Sequence, residues 1–181
     1  MKAVLISIQP KWCEKIFNGE KTIEVRKSRP KIDTPFKVYV YMTKRKWIFK
    51  LLPFLKNRFA KVIGEFVCDR IEKFSVGSLH CDDIEKESCL SYSEMINYFY
   101  KPEELDGKTV KWGFGWHISD LKIYDKPKEL GEFRKPCNHI NDCCTCKEAE
   151  FQYDGDELRG LVCRREIPLI RPPQSWCYIE V

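Results

Sequence analysis

The chain has 181 residues, of which 43% are hydrophobic and 33% are charged, and its formal net charge is +5 at pH 7. These totals allow one domain with one apolar core, and the weak positive charge permits a nucleic acid or another anion as partner without requiring one. No apolar run is long enough to cross a bilayer, and the apolar N-terminal stretch is too short for a secretory signal. We therefore expect a cytoplasmic protein with no membrane partner, whose ten cysteines are reduced thiols or metal ligands.

The first part of the chain predicts a strand, a helix and a second strand. Lys2–Ile8 is typical of a buried strand. Pro10–Asn18 predicts a helix, because proline suits the first helical turn and apolar residues recur at helical spacing. Gly19 can adopt the left-handed conformation that ends a helix, and the alternating run Lys21–Arg26 then predicts the second strand.

This helix–turn–strand unit brings Lys21, Glu24 and Arg26 close together beside Trp12. One interpretation is a solvated ion pair of little energetic consequence. The other is a ligand site, in which Arg26 offers a planar fork to a phosphate or a base edge and an aromatic ring, Trp12 or Trp116, stacks on a nucleobase. If Lys21 is partly desolvated, its pKa falls, and it then suits a base or a nucleophile that Glu24 orients.

The segment 43–61 is unusual, because it carries basic and aromatic residues but no acidic one. It follows a basic, proline-containing loop and a predicted strand at Val38–Met42. Three interpretations stay open: an insertion whose apolar side packs on the body of the domain, an arm that touches phosphates while its rings stack on bases, or a membrane-surface helix.

The middle of the chain predicts further strands and one helix. Val62–Cys68 is a predicted strand in which Gly64 marks a bulge or a close approach, and 69–87 is predicted to be mostly loop or short helix. The spacing Ser91-x-x-Glu94 is that of a capping box, so we expect a helix from there to about Tyr100.

Strands dominate the last part. We expect a strand pair over Lys111–Tyr124, in which His117 is a satisfied, partly buried residue, and a closing strand at the C-terminus. Many short strands with few helices predict an α+β fold, a small mixed β-barrel with helices packed at its openings. Such a barrel leaves a cleft where the helix–strand junction meets the loops.

The segment 136–165 changes character, because cysteines crowd a polar, turn-rich stretch that cannot bury much core. Cys143-x-x-Cys146 has the spacing at which two thiolates share one Zn²⁺, and Cys137 and Cys163 could complete a tetrahedral set. His139 or Cys144 could replace one of these ligands. The alternatives are an irregular loop of free thiols and a disulfide formed on isolation; we favour a structural zinc ion and no organic cofactor.

The motif Ser7-Ile-Gln-Pro-Lys-Trp12, followed by Gly19-x-Lys21-x-x-Glu24-x-Arg26, resembles the signature of the ASCH domain, a family related to the PUA RNA-binding fold. Weaker similarities to later strands of small bacterial and phage members lie at Gly64–Phe66, Trp116–Ser119 and Pro172–Cys177. The resemblance spans roughly residues 2–125 and 167–181. It implies a single domain over 1–181 with a PUA-like barrel of about five or six strands, a basic insertion and a cysteine-rich appendage.

The resemblance implies two classes of function. ASCH proteins are generally regarded as RNA-binding modules, and some are reported as ribonucleases. A small bacterial branch hydrolyses the acetyl amide of N4-acetylcytidine with a lysine that matches Lys21, a threonine where this chain has Glu24, and a glutamate from later in the chain, for which Glu65 is a candidate. Glu24 in place of that threonine puts amidohydrolysis in doubt.

We therefore expect a module that binds RNA or a modified nucleoside. The alternative is a hydrolase that uses Lys21 and Glu24 in the same cleft. A third interpretation is a protein-interaction module that uses the basic insertion, and only the charge of that insertion supports it. The residues expected to bind the ligand are Lys11, Trp12, Lys21, Glu24, Arg26 and Trp116.

Overall fold

The structure is a computed structural model that describes residues 2–44, 57–76, 82–104, 109–136, 149–163 and 166–180. Its three α-helices, within these ranges, are α1 (Pro10–Phe17), α2 (Asp82–Ser88) and α3 (Tyr92–Phe99). The strands are β1 (Lys2–Ile8), β2 (Ile23–Arg26), β3 (Phe36–Met42), β4 (Val62–Cys68), β5 (Ile71–Ser75), β6 (Trp112–His117), β7 (Ser119–Lys128), β8 (Arg134–Pro136), β9 (Ala149–Asp154), β10 (Glu157–Cys163), β11 (Glu166–Pro168) and β12 (Trp176–Glu180).

The largest sheet has the strand order β11-β8-β12-β1-β3-β4-β7. β1 lies inside it, parallel to β3 and antiparallel to β12. Its residues are buried from Ala3 to Ile8, because alternate side chains enter two apolar clusters, one on each face of the sheet. This explains why β1 reads as a continuous apolar run rather than as an alternating one.

A smaller sheet has the order β2-β6-β5 and carries the helix–strand junction. One face contributes Trp116 to the main core, together with residues of β1, β3, β4 and α1. The opposite face, with Ile23, Val25 and Phe74, packs against α2 and α3 in a separate cluster. β9 and β10 form a two-stranded antiparallel sheet of their own.

The α+β class is confirmed, but the described strands do not show a closed barrel. In the part of the chain that the structure describes, no strand pairing joins the two edges of either larger sheet: β7 and β11 are the edges of one, β2 and β5 of the other. The two sheets pack face to face over the main core instead of closing into one cylinder. Helices lie beside the smaller sheet, as expected.

The local signals around α1 are confirmed. Pro10 occupies the first turn, and the helix buries Pro10, Cys13 and Ile16 on one face. Gly19 has φ +73° and leads the chain out of the helix. Gly64 is needed for a close approach, because a Cβ at that position would lie 2.6 Å from the backbone oxygen of Lys122 on β7.

Two predicted segments fall partly outside the described residues. Residues 45–56 of the basic insertion and 137–148 and 164–165 of the cysteine-rich appendage are not among them. The strand β5 was predicted as loop or short helix; its charged residues Glu72 and Lys73 are exposed on an edge strand and hide the alternation. None of the helices in the described ranges is long and apolar enough to span a membrane.

Candidate functional site

The site is built on the unit formed by α1, Gly19 and β2. The backbone N–H groups of Glu20 and Lys21 both donate to the carbonyl of Lys15 at the end of the helix, at 2.9 and 3.1 Å. Thr22 then donates to the carbonyl of Glu87 at 2.9 Å and accepts from Ile118 at 2.8 Å. These bonds fix the start of β2 between α2 and β6, so the strand has little freedom to move its side chains.

Lys21, Glu24 and Arg26 form a buried charged triad, with 3%, 6% and 7% of each residue exposed. Glu24 lies between the two cations: its Oε1 is 3.0 Å from Arg26 Nη2, and its Oε2 is 3.4 Å from Lys21 Nζ. The alternative of a solvated surface ion pair is therefore excluded for these residues. Charges this deep in a protein are maintained only where partners compensate for the lost water.

Neighbouring elements supply further partners to both cations. Lys21 Nζ donates to the carbonyl of Ser88, the last residue of α2, at 2.8 Å. Arg26 Nη2 donates to the carbonyl of Ser7 at 2.7 Å, and Arg26 Nη1 donates to Ser175 Oγ at 3.3 Å. The triad therefore joins the end of β1, the end of α2 and the segment that precedes β12.

Two buried polar atoms of the triad have no hydrogen-bond partner among the described residues: Glu24 Oε2 and Arg26 Nε. The distance between Glu24 Oε2 and Lys21 Nζ is that of an ion pair, but it does not meet hydrogen-bond geometry. A buried carboxylate oxygen without a donor is uncommon in folded proteins, because it has lost its hydration without replacement. The triad thus contains one buried acceptor and one buried donor that make no hydrogen bond with the described residues.

Burial determines the protonation of the lysine. It lowers the pKa of Lys21 below its ordinary value, although the Glu24 carboxylate acts in the opposite direction. Burial also raises the pKa of Tyr98, a residue of α3 whose hydroxyl oxygen accepts a hydrogen bond from the Arg26 guanidinium. The triad is therefore extended by a neutral phenol and contains an amine that releases its proton more readily than a surface lysine.

The triad lies on the wall of a cleft with a volume of about 780 Å³. This volume is within the range of small-molecule sites, roughly 300–1,000 Å³. Segments that are far apart in the sequence form its walls. The lining residues are Ser7, Ile8, Gln9, Trp12, Lys21, Glu24, Val25, Arg26, Thr43, Lys44, Leu90, Glu94, Asn97, Tyr98, Pro172, Pro173, Gln174 and Ser175.

Four of the six predicted ligand-binding residues line this cleft: Trp12, Lys21, Glu24 and Arg26. Lys11 is exposed beside it and forms a 2.9 Å ion pair with Glu94, with its Nζ 4.2 Å from the centre of the Trp12 ring.

Trp116 is placed elsewhere. It is 0% exposed in the main core, where it contacts the rings of Phe36 and Trp176, and so it is not available to stack on a base. In the sheet register it lies directly opposite Glu24.

The sequence hypothesis missed several residues of the cleft. Glu94 and Tyr98 come from α3, and Ser175 comes from the segment before β12. Glu94 was recognised only as a helix cap, a role that it does fill. Glu65, the candidate for a later catalytic glutamate, does not line the cleft; it pairs with Lys37 and accepts a hydrogen bond from Tyr124 on the large sheet.

The zinc site stays a prediction. Cys137, Cys143 and Cys146 lie outside the described residues, as do His139 and Cys144, and of Cys163 the structure describes only the backbone at the end of β10. Within the described ranges, no group of three or more His, Cys, Asp or Glu side chains could hold a metal ion. Three other cysteines in apolar contexts are free thiols: Cys13 and Cys68 are buried, and Cys177 is partly buried.

Comparison with solved structures finds this fold in an ASCH protein. The crystal structure of ASCH from Zymomonas mobilis matches with a TM-score of 0.52 and 20% sequence identity, over 71% of this chain and 73% of that chain. A mutant of the same Zymomonas mobilis protein matches with a TM-score of 0.51 and 19% identity, over 72% and 77% of the two chains. No protein-family model matches the sequence, and no curated protein does.

These matches show a common fold. The chain has the mixed α+β architecture of the ASCH domain, and the resemblance stated from the motif around Gly19 and Lys21 is confirmed at the level of the fold. At this identity the comparison says nothing about activity, so the function must be argued from the cleft itself.

Proposed function

We propose that the cleft binds a nucleobase, either of an RNA nucleotide or of a modified nucleoside. The observation that carries the proposal is the buried triad on the wall of a cleft of about 780 Å³. Two of its atoms, Glu24 Oε2 and Arg26 Nε, lack a hydrogen bond, although Glu24 Oε2 lies 3.4 Å from the Lys21 ammonium. A ligand that donates to the first atom and accepts from the second removes the cost of leaving them unpaired.

Nucleobase edges match this pattern, because they present N–H donors beside carbonyl or ring-nitrogen acceptors. A carboxylate accepts from an exocyclic amine, and a guanidinium donates to a base oxygen or nitrogen. Trp12 and Tyr98 supply aromatic rings in the same cleft, and aromatic stacking is the usual way in which proteins hold an unpaired base.

The charge of the cleft favours a small ligand over a long polyanion. Three cationic side chains line it, Lys21, Lys44 and Arg26, against the carboxylates of Glu24 and Glu94. The excess is one positive charge, which suits a neutral nucleoside or a single phosphate. We therefore expect a weak dependence of affinity on salt, since each neutralised phosphate of a single strand contributes a slope of only about −0.7 in a plot of log K against log [salt].

The test is a titration of ¹⁵N-labelled protein with the four common ribonucleosides and their 5′-monophosphates, monitored by NMR. A bound base should shift the resonances of the Arg26 Nε–H and the Trp12 indole N–H. Glu24→Gln should weaken binding about 10- to 150-fold, the worth of a hydrogen bond to a charged group. Glu65→Gln is the matched control, because it removes a partly buried, paired carboxylate outside the cleft.

The proposal fails if no nucleoside or nucleotide shifts these resonances at millimolar concentration. It also fails if Glu24→Gln and Glu65→Gln bind alike. Because Glu24→Gln alters stability, affinities are compared at a temperature at which both variants give the dispersed amide spectrum of the folded state.

Hydrolysis in the same cleft is a second candidate, favoured by one observation: burial lowers the pKa of Lys21. An amine whose pKa is lowered gives up its proton more readily and can then act as a base or a nucleophile. Incubation with N4-acetylcytidine and with a labelled oligoribonucleotide tests this. Lys21→Arg keeps the positive charge but cannot supply a neutral amine, so it should abolish turnover if Lys21 reacts. Turnover that survives Lys21→Arg excludes that role.

A further inference from the structure

A row of aromatic rings leads from the core to the surface along one face of β6. Trp116, Phe114 and Trp112 alternate with glycine or histidine, so their side chains share a face of the smaller sheet. Trp116 is fully buried, Phe114 is partly buried against the same core, and Trp112 is 49% exposed. Trp112 is one of the few large apolar side chains in the described ranges that present half their surface to solvent.

The exposed end of this row carries a positive charge. Lys73 of the edge strand β5 places its Nζ 4.3 Å from the centre of the Trp112 ring. A tryptophan ring can stack on a nucleobase, and a cation beside the ring can contact a phosphate next to that base in the strand.

The same face connects Trp112 to the cleft. In the sheet register, Phe114 lies directly opposite Arg26 of β2 on one side and Lys73 of β5 on the other. Neighbouring strands are about 5 Å apart, and alternate residues along a strand are about 7 Å apart. Trp112 therefore lies two residues along β6 from Phe114, the residue that pairs with Arg26. Arg26 itself lines the cleft.

The packing beneath Trp112 fixes its position. The next residue, Gly113, has the ring of Phe74 directly against the opposite face of the strand: a Cβ at Gly113 would lie 2.4 Å from the Phe74 ring. Phe74 itself is buried against the ring of Phe99 of α3. The backbone that carries Trp112 is thus held by the core, although its ring is exposed, and a platform of this kind binds without a large ordering cost.

We infer that Trp112 and Lys73 form a second base-binding platform, which holds the nucleotide adjacent to the one in the cleft. The inference rests on the proposed function and deepens it: the ligand includes single-stranded RNA of at least two nucleotides, with one base in the cleft and the next on the platform. Trp112 stacks on the second base and Lys73 contacts the backbone phosphate.

The test compares a fluorescein-labelled RNA hexamer of random sequence with the nucleoside or monophosphate that binds best. Trp112→Ala should weaken hexamer binding about 5- to 150-fold, the range for loss of one stacked base, and should leave the affinity for the mononucleotide unchanged within about twofold. Trp112→Phe retains a ring and should recover most of the loss. Tyr92→Ala, which removes a 53% exposed aromatic residue from α3, is the matched control and should bind as wild type.

Lys73→Ala should also weaken the hexamer and lower the salt slope by about 0.7. Its matched control is Lys128→Ala, which removes a lysine that lies over the ring of Tyr124 on the large sheet, 4.9 Å from its centre. Hexamer binding that Trp112→Ala leaves unchanged overturns the platform, as does equal weakening by Trp112→Ala and Tyr92→Ala. Wild-type protein that binds no hexamer overturns it too.

These outcomes separate the two proposals. If Glu24→Gln weakens the mononucleotide but Trp112→Ala has no effect on the hexamer, the cleft binds a base and the platform is absent. If Trp112→Ala weakens the hexamer but Glu24→Gln changes neither ligand, the platform binds RNA and the cleft does not.

Discussion

Replacement of Glu24 by glutamine is expected to lower the free energy of unfolding by about 3 kcal/mol at pH 7. The substitution keeps the size of the side chain and removes the charge between two buried cations. Loss of one member of a buried ion pair costs about 3–5 kcal/mol. The lower end applies here, because Lys21 keeps the carbonyl of Ser88 and Arg26 keeps the carbonyl of Ser7 as hydrogen-bond acceptors.

For a protein of this size, about 3 kcal/mol corresponds to a fall in Tm of about 6–12 °C. The assay is urea unfolding followed by circular dichroism, with calorimetry for Tm. Glu129→Gln is the control: Glu129 pairs with Lys61 at 2.7 Å, but its side chain is 65% exposed, so its removal should cost less than about 1 kcal/mol.

The cost of Glu24→Gln should shrink as the pH rises. In the wild type, burial lowers the pKa of Lys21 and the Glu24 carboxylate partly opposes this. Without the carboxylate, the pKa of Lys21 in the folded variant falls further below the ordinary value of 10.5 that the unfolded chain retains. Between the folded-state pKa of Lys21 in the variant and that in the wild type, the folded variant binds fewer protons than the folded wild type, so the stability of the variant rises with pH relative to wild type.

Two results would refute this reasoning. One is a difference below about 1 kcal/mol at pH 7, which would mean that the triad is hydrated and not truly buried. The other is a difference between variant and wild type that stays constant at every pH at which both are folded, which would mean that the Glu24 carboxylate does not affect the pKa of Lys21.

Three further predictions concern packing, the edge of the cleft and thiol chemistry. Gly64→Ala should lower the free energy of unfolding by about 1–3 kcal/mol, because its Cβ would lie 2.6 Å from a backbone oxygen of β7. Lys11→Ala should raise the pKa of Glu94, since the hydrogen bond from Lys11 is the main cause that holds it below its usual value; a ¹³C NMR titration of the carboxyl measures the shift. Cys13 and Cys68 should resist iodoacetamide at pH 8 in the folded protein, because burial raises the pKa of both thiols, that of Cys68 to about 12.

Each of these predictions has a control within the chain. Gly131→Ala introduces a methyl group with no atom within 4 Å and should be nearly neutral. Glu104, an exposed carboxylate whose pKa a hydrogen bond from Lys111 lowers, should be unaffected by Lys11→Ala. Cys89 is partly exposed and should react before the two buried thiols. A Glu94 pKa that does not move, or labelling of Cys13 in the folded state, would contradict the contacts described above.

Local signals predicted the part of the site that is local in the sequence. Pro10, Gly19 and the alternation over Lys21–Arg26 were sufficient to predict the helix, its end and the strand that together carry the triad. Whether these charges were buried could not be predicted, since burial depends on Ser88 and Ser175, which lie far along the chain.

The other walls of the cleft and the course of the sheets are tertiary properties. Nothing near Glu94 or Tyr98 in the sequence indicates that α3 faces α1. The alternation around Trp116 predicted its strand correctly, but only the packing of the two sheets decides that this ring enters the core. A pattern of short strands in the sequence does not distinguish a closed barrel from two packed sheets. Closure depends on whether the edge strands of the sheets pair with each other.

The placement of β12 beside β1 has a consequence for biosynthesis. The hydroxyl of Ser7, near the end of β1, donates to the carbonyl of Pro173 at 2.7 Å. The backbone N–H of Ser7 donates to the carbonyl of Ser175 at 2.9 Å. A nascent chain on the ribosome therefore has no complete cleft until these late residues have left the exit tunnel. Partly synthesised copies therefore carry the charged triad without the second wall of the cleft.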